Sequence, residues 1–174
     1  ENEKIQIMDD LTPKQRRQLR TKDAILEAAR QIISEEGVEK LSMRGIADRI
    51  DYSAAGLYEY FGSKDEIITA VCLQGDDRLR QSMGRVDVSL PPMAYLLEIG
   101  LAYIDFATTN PDHFRLMFTS GLEAPAEIAG APPEETSFHV LVSAITHGVE
   151  AGVFIPREGF GVMDMAFMAW SVVH

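Results

Sequence analysis

The chain has 174 residues, 46% of them hydrophobic, a single cysteine and a formal net charge of −11. Such a chain can build one or two small domains with a sizeable core, and one cysteine excludes an internal disulfide and a cysteine-based metal cluster, which fits a reducing cytoplasm. The longest apolar stretch, Met93 to Ala107, carries Glu98 and Asp105 and is too short and too charged to span a bilayer; the polar, acidic start has no signal-peptide pattern.

The acidity is uneven. Residues 1–12 carry −3, residues 13–65 carry +1 and residues 66–174 carry −9. Lys14, Arg16, Arg17, Arg20 and Lys22 cluster ahead of the first strong apolar stripe. Cations so grouped suit contact with phosphates, and an acidic remainder disfavours non-specific adhesion to DNA or anionic membranes. The basic run reads either as a DNA-contacting arm or as a solvated tail.

In chain order, residues 1–11 show no periodicity. Thr12-Pro13-Lys14-Gln15 is a capping box with proline at the first helical position. The first helix runs from there through Ile25, Ala28, Ala29, Ile32 and Ile33 to Glu36, and Gly37 ends it. Met43, Ile46, Ala47 and Ile50 form the stripe of a short second helix with Ser42 as its cap. After a turn at Asp51-Tyr52, Ser53 caps a third helix expected over Ala54 to Tyr60. Two short helices joined so tightly are a helix-turn-helix. The third helix begins with small residues, Ser-Ala-Ala-Gly, and ends in Tyr58, Tyr60 and Phe61, which suits a recognition helix in a major groove.

Ser63 to Glu66 is a second capping box, opening a helix to about Met83 in which Ile67, Ile68, Val71 and Cys72 face the first three helices and Gly75 and Gly84 are weak points. A linker, Val86 to Pro92, leads to a helix ending near Thr109, apolar almost all round and so expected to be central and buried. Asn110-Pro111 restarts a helix to Thr119; Gly121 to Pro133 reads as a mobile loop. Glu134 to Ala151 and Gly161 to His174 are the last helices, separated by a turn over Val153 to Phe160. The helical pattern is still running at His174, so another helix is expected to follow.

The run IADRIDYSAAGLYEYFGSKDEI resembles the signature of the TetR family of bacterial transcriptional regulators, through Ile46-Ala47, Ser53 to Leu57, Tyr58-Glu59-Tyr60-Phe61 and Lys64. The close match spans roughly Lys22 to Val71. The resemblance implies an all-α fold: a DNA-binding head over residues 13–62 and a helical effector-binding and dimerisation body over 63–174. Base edges fall to Ser53, Ala54, Ala55 and Gly56 at the start of the recognition helix, where alanine methyls can meet thymine methyls. Tyr58, Tyr60, Lys64, Ser42 and Arg44 contact phosphates by resemblance, with Arg20 and Lys22 from the basic run. Packing the bundle is the alternative role for the aromatic residues, and it suits Phe61 best.

The family acts as a homodimer on a palindromic operator of double-stranded DNA, with half-sites about 34–36 Å apart or a multiple of that. Its usual mode is repression relieved by a small-molecule effector. The dimer surface is expected on Glu134 to Ala151 and Gly161 to His174. The Trp170 to His174 ending resembles one branch, whose body carries Trp, a few residues, then His-Gly.

For the effector, the candidates are Tyr103, Phe106, Phe114, Met117, Phe118, Phe138, Met163, Phe167 and Trp170, because flexible methionines and large rings can line an adaptable pocket. Plain core is the alternative for each. His113, His139 and His147 are the polar candidates, and none has metal-ligand spacing. No GxSxG, phosphate loop or dinucleotide motif occurs, so no catalytic residue, cofactor or metal is assigned. An α-helical enzyme or carrier, or a protein-interaction module, are the rival classes.

Overall fold

The computed structural model describes residues 11–119 and 136–174. The described residues are helical apart from turns and one isolated bridge between Arg157 and Phe160. They form two compact units, one up to Val71 and one from Cys72 onward. The division falls within a helix, later than the 62/63 boundary expected from sequence.

In the first unit, α1 (Pro13–Glu36) starts at the capping box. Gln15 N donates to Thr12 Oγ1 at 3.3 Å, and Thr12 N donates to Gln15 Oε1 at 2.9 Å. Ile25, Leu26, Ala28, Ala29 and Ile32 make its buried face. Gly37 ends it at φ +91°, a left-handed conformation open to glycine, and one turn of 3-10 helix (Val38–Lys40) follows. Next come α2 (Met43–Arg49) and α3 (Ala54–Leu57), with α2 packed on both α1 and α3. Between them Asp51 adopts φ +52°, which aspartate tolerates better than most residues. Ile46, Ala47, Leu57 and Phe61 are buried.

The third helix is shorter than expected. It stops at Leu57, and residues 58–60 form a turn. The bonds tighten there to three-residue spacing, Glu59 N to Gly56 O and Tyr60 N to Leu57 O at 3.2 and 2.9 Å.

α4 (Lys64–Met83) is about 30 Å long at 1.5 Å per residue. Ser63 Oγ accepts from Glu66 N at 3.1 Å, while the Glu66 carboxylate reaches back to Gly62 N at 2.6 Å. The expected box therefore forms with its return bond one residue earlier.

The second unit contains α5 (Pro92–Thr109), α6 (Pro111–Thr119), α7 (Ser137–Glu150) and α8 (Val162–Val173). α5 packs on each of the other three, and α7 packs on α8. Ile99, Tyr103, Phe106, Met117, Leu141, Ile145 and Ala166 are at its centre, with Leu79 and Met83 of α4.

Three expectations are corrected in this unit. α5 is not buried all round: Tyr95, Ile99, Tyr103 and Phe106 are buried, but Met93, Leu97, Leu101 and Ile104 are exposed, because its neighbours cover one side only. Gly75 is a close-packing position rather than a weak point, since a Cβ there would lie 2.7 Å from Met117 Sδ. Cys72 belongs to this second unit, where its thiol donates to Leu116 O at 3.9 Å. Residues 121–133, read as a mobile loop, and the expected helix start at 134–135 lie outside the described residues.

Candidate nucleic-acid interface and ligand cavity

The first unit presents most of its candidate DNA residues on exposed positions next to helix starts. Ser42 and Ser53 are exposed N-caps, accepting from Gly45 N at 3.1 Å and Gly56 N at 3.0 Å. Each hydroxyl so engaged as an acceptor still carries a proton to donate outward. Ala54 is half-buried and Ala55 exposed, while Tyr58 has 57% of its surface in solvent. The Arg44 side chain is 87% exposed, with only a loose approach to Asp48 at 3.9 Å. Arg20 is exposed on α1, and Lys64, half-buried, is the first residue of α4.

Other contacts hold this face in shape. Arg49 spans from the end of α2 to the end of α1, 2.7 Å from Glu35 and 3.9 Å from Glu36. Its hydrogen bond holds the Glu35 carboxyl below the usual range. Lys22 lies 5.7 Å from the centroid of the Phe61 ring, a cation–π distance, so this cation is shared with a buried aromatic. Gly56 has a packing reason as well: a Cβ would lie 2.6 Å from Tyr52 Cε1.

Tyr52 escaped the sequence reasoning. Its ring meets Tyr60 edge-on at 6.2 Å, and its hydroxyl is pushed above the ordinary phenol value by its hydrogen bond with Tyr60. Tyr52 thus steadies both Tyr60 and the glycine turn of α3. The small residue four positions after it was the available signal.

The second unit holds a cavity of about 570 Å³ lined by α5, α7 and α8, the end of α4 and Phe118 of α6. That volume is typical of ligand sites. Of the nine candidate ligand residues, Tyr103, Phe118, Phe138, Met163, Phe167 and Trp170 line it. Phe106 and Met117 are buried in the core and do not line it; Phe114 stands behind Tyr103, their rings edge-on at 5.6 Å.

His174 is the residue that sequence reasoning passed over here. Its ring stacks on Trp170 with centroids 4.4 Å apart, lies 4.6 Å from the Phe118 ring, and its Nδ1 is 2.7 Å from the Tyr103 hydroxyl. Burial pushes the Tyr103 hydroxyl up to about 12, so it stays protonated. The i, i+4 spacing of Trp170 and His174, in the ending that resembles the Trp…His-Gly branch, was the local sign of this cluster. Of the other histidines, His139 lines the cavity, His113 is buried with Nε2 3.5 Å from Arg78 Nη1, and His147 meets Tyr95 edge-on at 6.5 Å.

Beside the cavity, buried Asp76 of α4 accepts from Ser137 N at 3.0 Å and from the Ser137 hydroxyl. Burial raises its pKa, the Ser137 bonds and Arg80 oppose the rise, and Asp77 adds to it. Among the described residues no His, Cys, Asp and Glu cluster has a metal-binding arrangement. Among them, too, no helix is long and apolar enough to cross a membrane.

Comparison with known proteins agrees with this layout. Residues 25–71 match the model of bacterial regulatory proteins of the tetR family, and residues 96–174 match the tetracyclin repressor-like C-terminal domain. The chain is 22% identical over 157 residues to the uncharacterized HTH-type transcriptional regulator YobS of Bacillus subtilis, covering 80% of this chain and 81% of that protein. It is 41% identical to the HTH-type transcriptional regulator UidR of Escherichia coli, but over 58 residues, 33% of this chain and 30% of UidR. A tetR-family regulatory protein from Rhodococcus RHA1 shares the fold with a TM-score of 0.69 at 22% identity, covering 87% of this chain and 80% of that one. Two matches, one to each half of the family's architecture and together taking in most of the sequence, lead to one conclusion: this chain belongs to the TetR family of bacterial regulatory proteins.

Proposed function

We propose that this protein is a cytoplasmic transcriptional repressor that binds a palindromic operator as a homodimer and is released by a small molecule bound in its second unit. The observation that carries the reading is the helix-turn-helix face. There, the preceding helix starts with exposed Ser42 and Arg44, and exposed Ser53 and Tyr58 flank a four-residue helix that begins with small residues. One such head reaches too few base pairs for operator specificity, which favours a pair. The cavity supplies a place for an effector, and α4, whose residues fall into both units, offers a route from one to the other. The Trp170 to His174 ending of the sequence is the ground for placing the chain in the branch whose body carries Trp, a few residues, then His-Gly.

The test uses Lys64→Ala and Arg44→Ala in salt-dependent DNA-binding titrations. Loss of one phosphate contact should weaken binding to all sequences alike and reduce the slope of log K against log salt by about one. Variants that bind with unchanged affinity and slope would remove both residues from the interface.

A further inference from the structure

Resting on the reading of the second unit as an effector-binding body, we propose that its cavity selects an uncharged, largely apolar molecule whose single hydroxyl is read by Tyr103. Carboxylate- or ammonium-bearing molecules of the same chain length are rejected.

The lining carries the inference. Among the described residues no Asp, Glu, Lys or Arg lines the cavity, and its one imidazole, His139, is on an exposed position, so a charge carried in to Tyr103 would lose its hydration and meet no ionic partner there. Aromatic rings can hold a cation when their faces converge on it. Here Trp170 gives one face to His174 at 4.4 Å, and Phe138 and Phe167 lean on each other at 4.9 Å with a tilt of 37°, so these rings pair off among themselves. The polar groups of the lining are largely committed. The Ser137 hydroxyl donates to Asp76, and Thr136 Oγ1 accepts from His139 N at 3.2 Å. Tyr103 is hydrogen-bonded to His174 at 2.7 Å and also to Trp170, which leaves the phenol one of its three hydrogen-bonding positions, and burial keeps it neutral. A ligand hydroxyl, able both to donate and to accept, satisfies it whichever way the His174 bond runs. Met83, Met93 and Met163, unbranched and adaptable, can then pack along an apolar body of varied shape.

Trp170 is the only tryptophan of the chain, so its emission reports on this cavity alone. The full chain is titrated with 1-decanol, decanoate and decyltrimethylammonium, each below the concentration at which it self-associates. The expected result is a saturable change with decanol and affinity for either charged probe lower by about tenfold or more. Tyr103→Phe should weaken decanol several-fold at a temperature well below its own thermal midpoint, which the lost His174 bond lowers. Equal or tighter binding of a charged probe overturns the proposal, and unchanged decanol affinity in Tyr103→Phe overturns the role of the hydroxyl. So does Trp170 emission that responds to dilution of the protein but not to decanol, since a second copy then covers the cavity. The regulator reading fails separately: a chain that binds decanol but selects no DNA sequence keeps this ligand class and loses the repressor, and the reverse result keeps the repressor alone.

Discussion

At the scale of single residues, Gly56 and Asp76 illustrate two different constraints. A Cβ at position 56 would lie 2.6 Å from the Tyr52 ring and 2.9 Å from the Ser53 cap oxygen. Gly56→Ala should therefore cost about 1–3 kcal/mol through overpacking and weaken DNA binding with it; urea unfolding and a DNA titration of the same variant check both. At Asp76 the constraint is electrostatic. Its folded-state pKa is raised by burial, so the folded protein holds this proton more tightly than the unfolded chain does. Stability from the group is then fully present below the ordinary aspartate value and lost as pH rises through the raised one. The difference in unfolding free energy between the native chain and Asp76→Asn should shift in favour of the native chain as pH falls through that window. A difference that is flat with pH, or that runs the other way, contradicts the assignment.

At the scale of elements, α3 is the most precarious. It has four residues and one side-chain cap, the Ser53 hydroxyl at 3.0 Å from Gly56 N. Ser53→Ala should cost about 1 kcal/mol. Its larger effect should appear in hydrogen exchange, as faster exchange of the amides of residues 56 and 57 while those of buried Ile25 to Ile32 stay slow. Helix starts were legible in the sequence because caps are local: Thr12 with Gln15, and Ser42, Ser53 and Ser63 each three residues from its donor. The end of α3 was not, because the change to three-residue spacing at Glu59 and Tyr60 has no breaker residue to announce it. The exposed face of α5 was illegible for another reason: apolar residues all round a helix indicate burial, but which side its neighbours cover depends on helices far along the chain. Likewise, Tyr103 and His174 are 71 residues apart and meet only through packing of α5 and α8.

At the scale of the molecule, the exposed apolar groups are not scattered evenly. Met93, Leu97, Leu101 and Ile104 of α5, and Met163, Phe167, Met168 and Val172 of α8, leave one unit with two uncovered apolar stripes. All of these but Met168 also line the cavity, so they mark the ligand site, and the apolar contact between two copies is expected on the rest of this unit. We expect sedimentation to show a dimer that persists in high salt, because apolar contact is not screened, while DNA binding by the same sample falls steeply. A species that dissociates with added salt would contradict an apolar interface. The charge distribution is consistent with this division of labour, with residues 13–65 at +1 and residues 66–174 at −9. The central claim is that the first unit reads DNA sequence as one of a pair. Selection of bound sequences from a random duplex pool at moderate salt tests it most directly. Enrichment of a palindrome with two half-sites related by a two-fold axis is the predicted result. A folded, dimeric protein that enriches no sequence would contradict it.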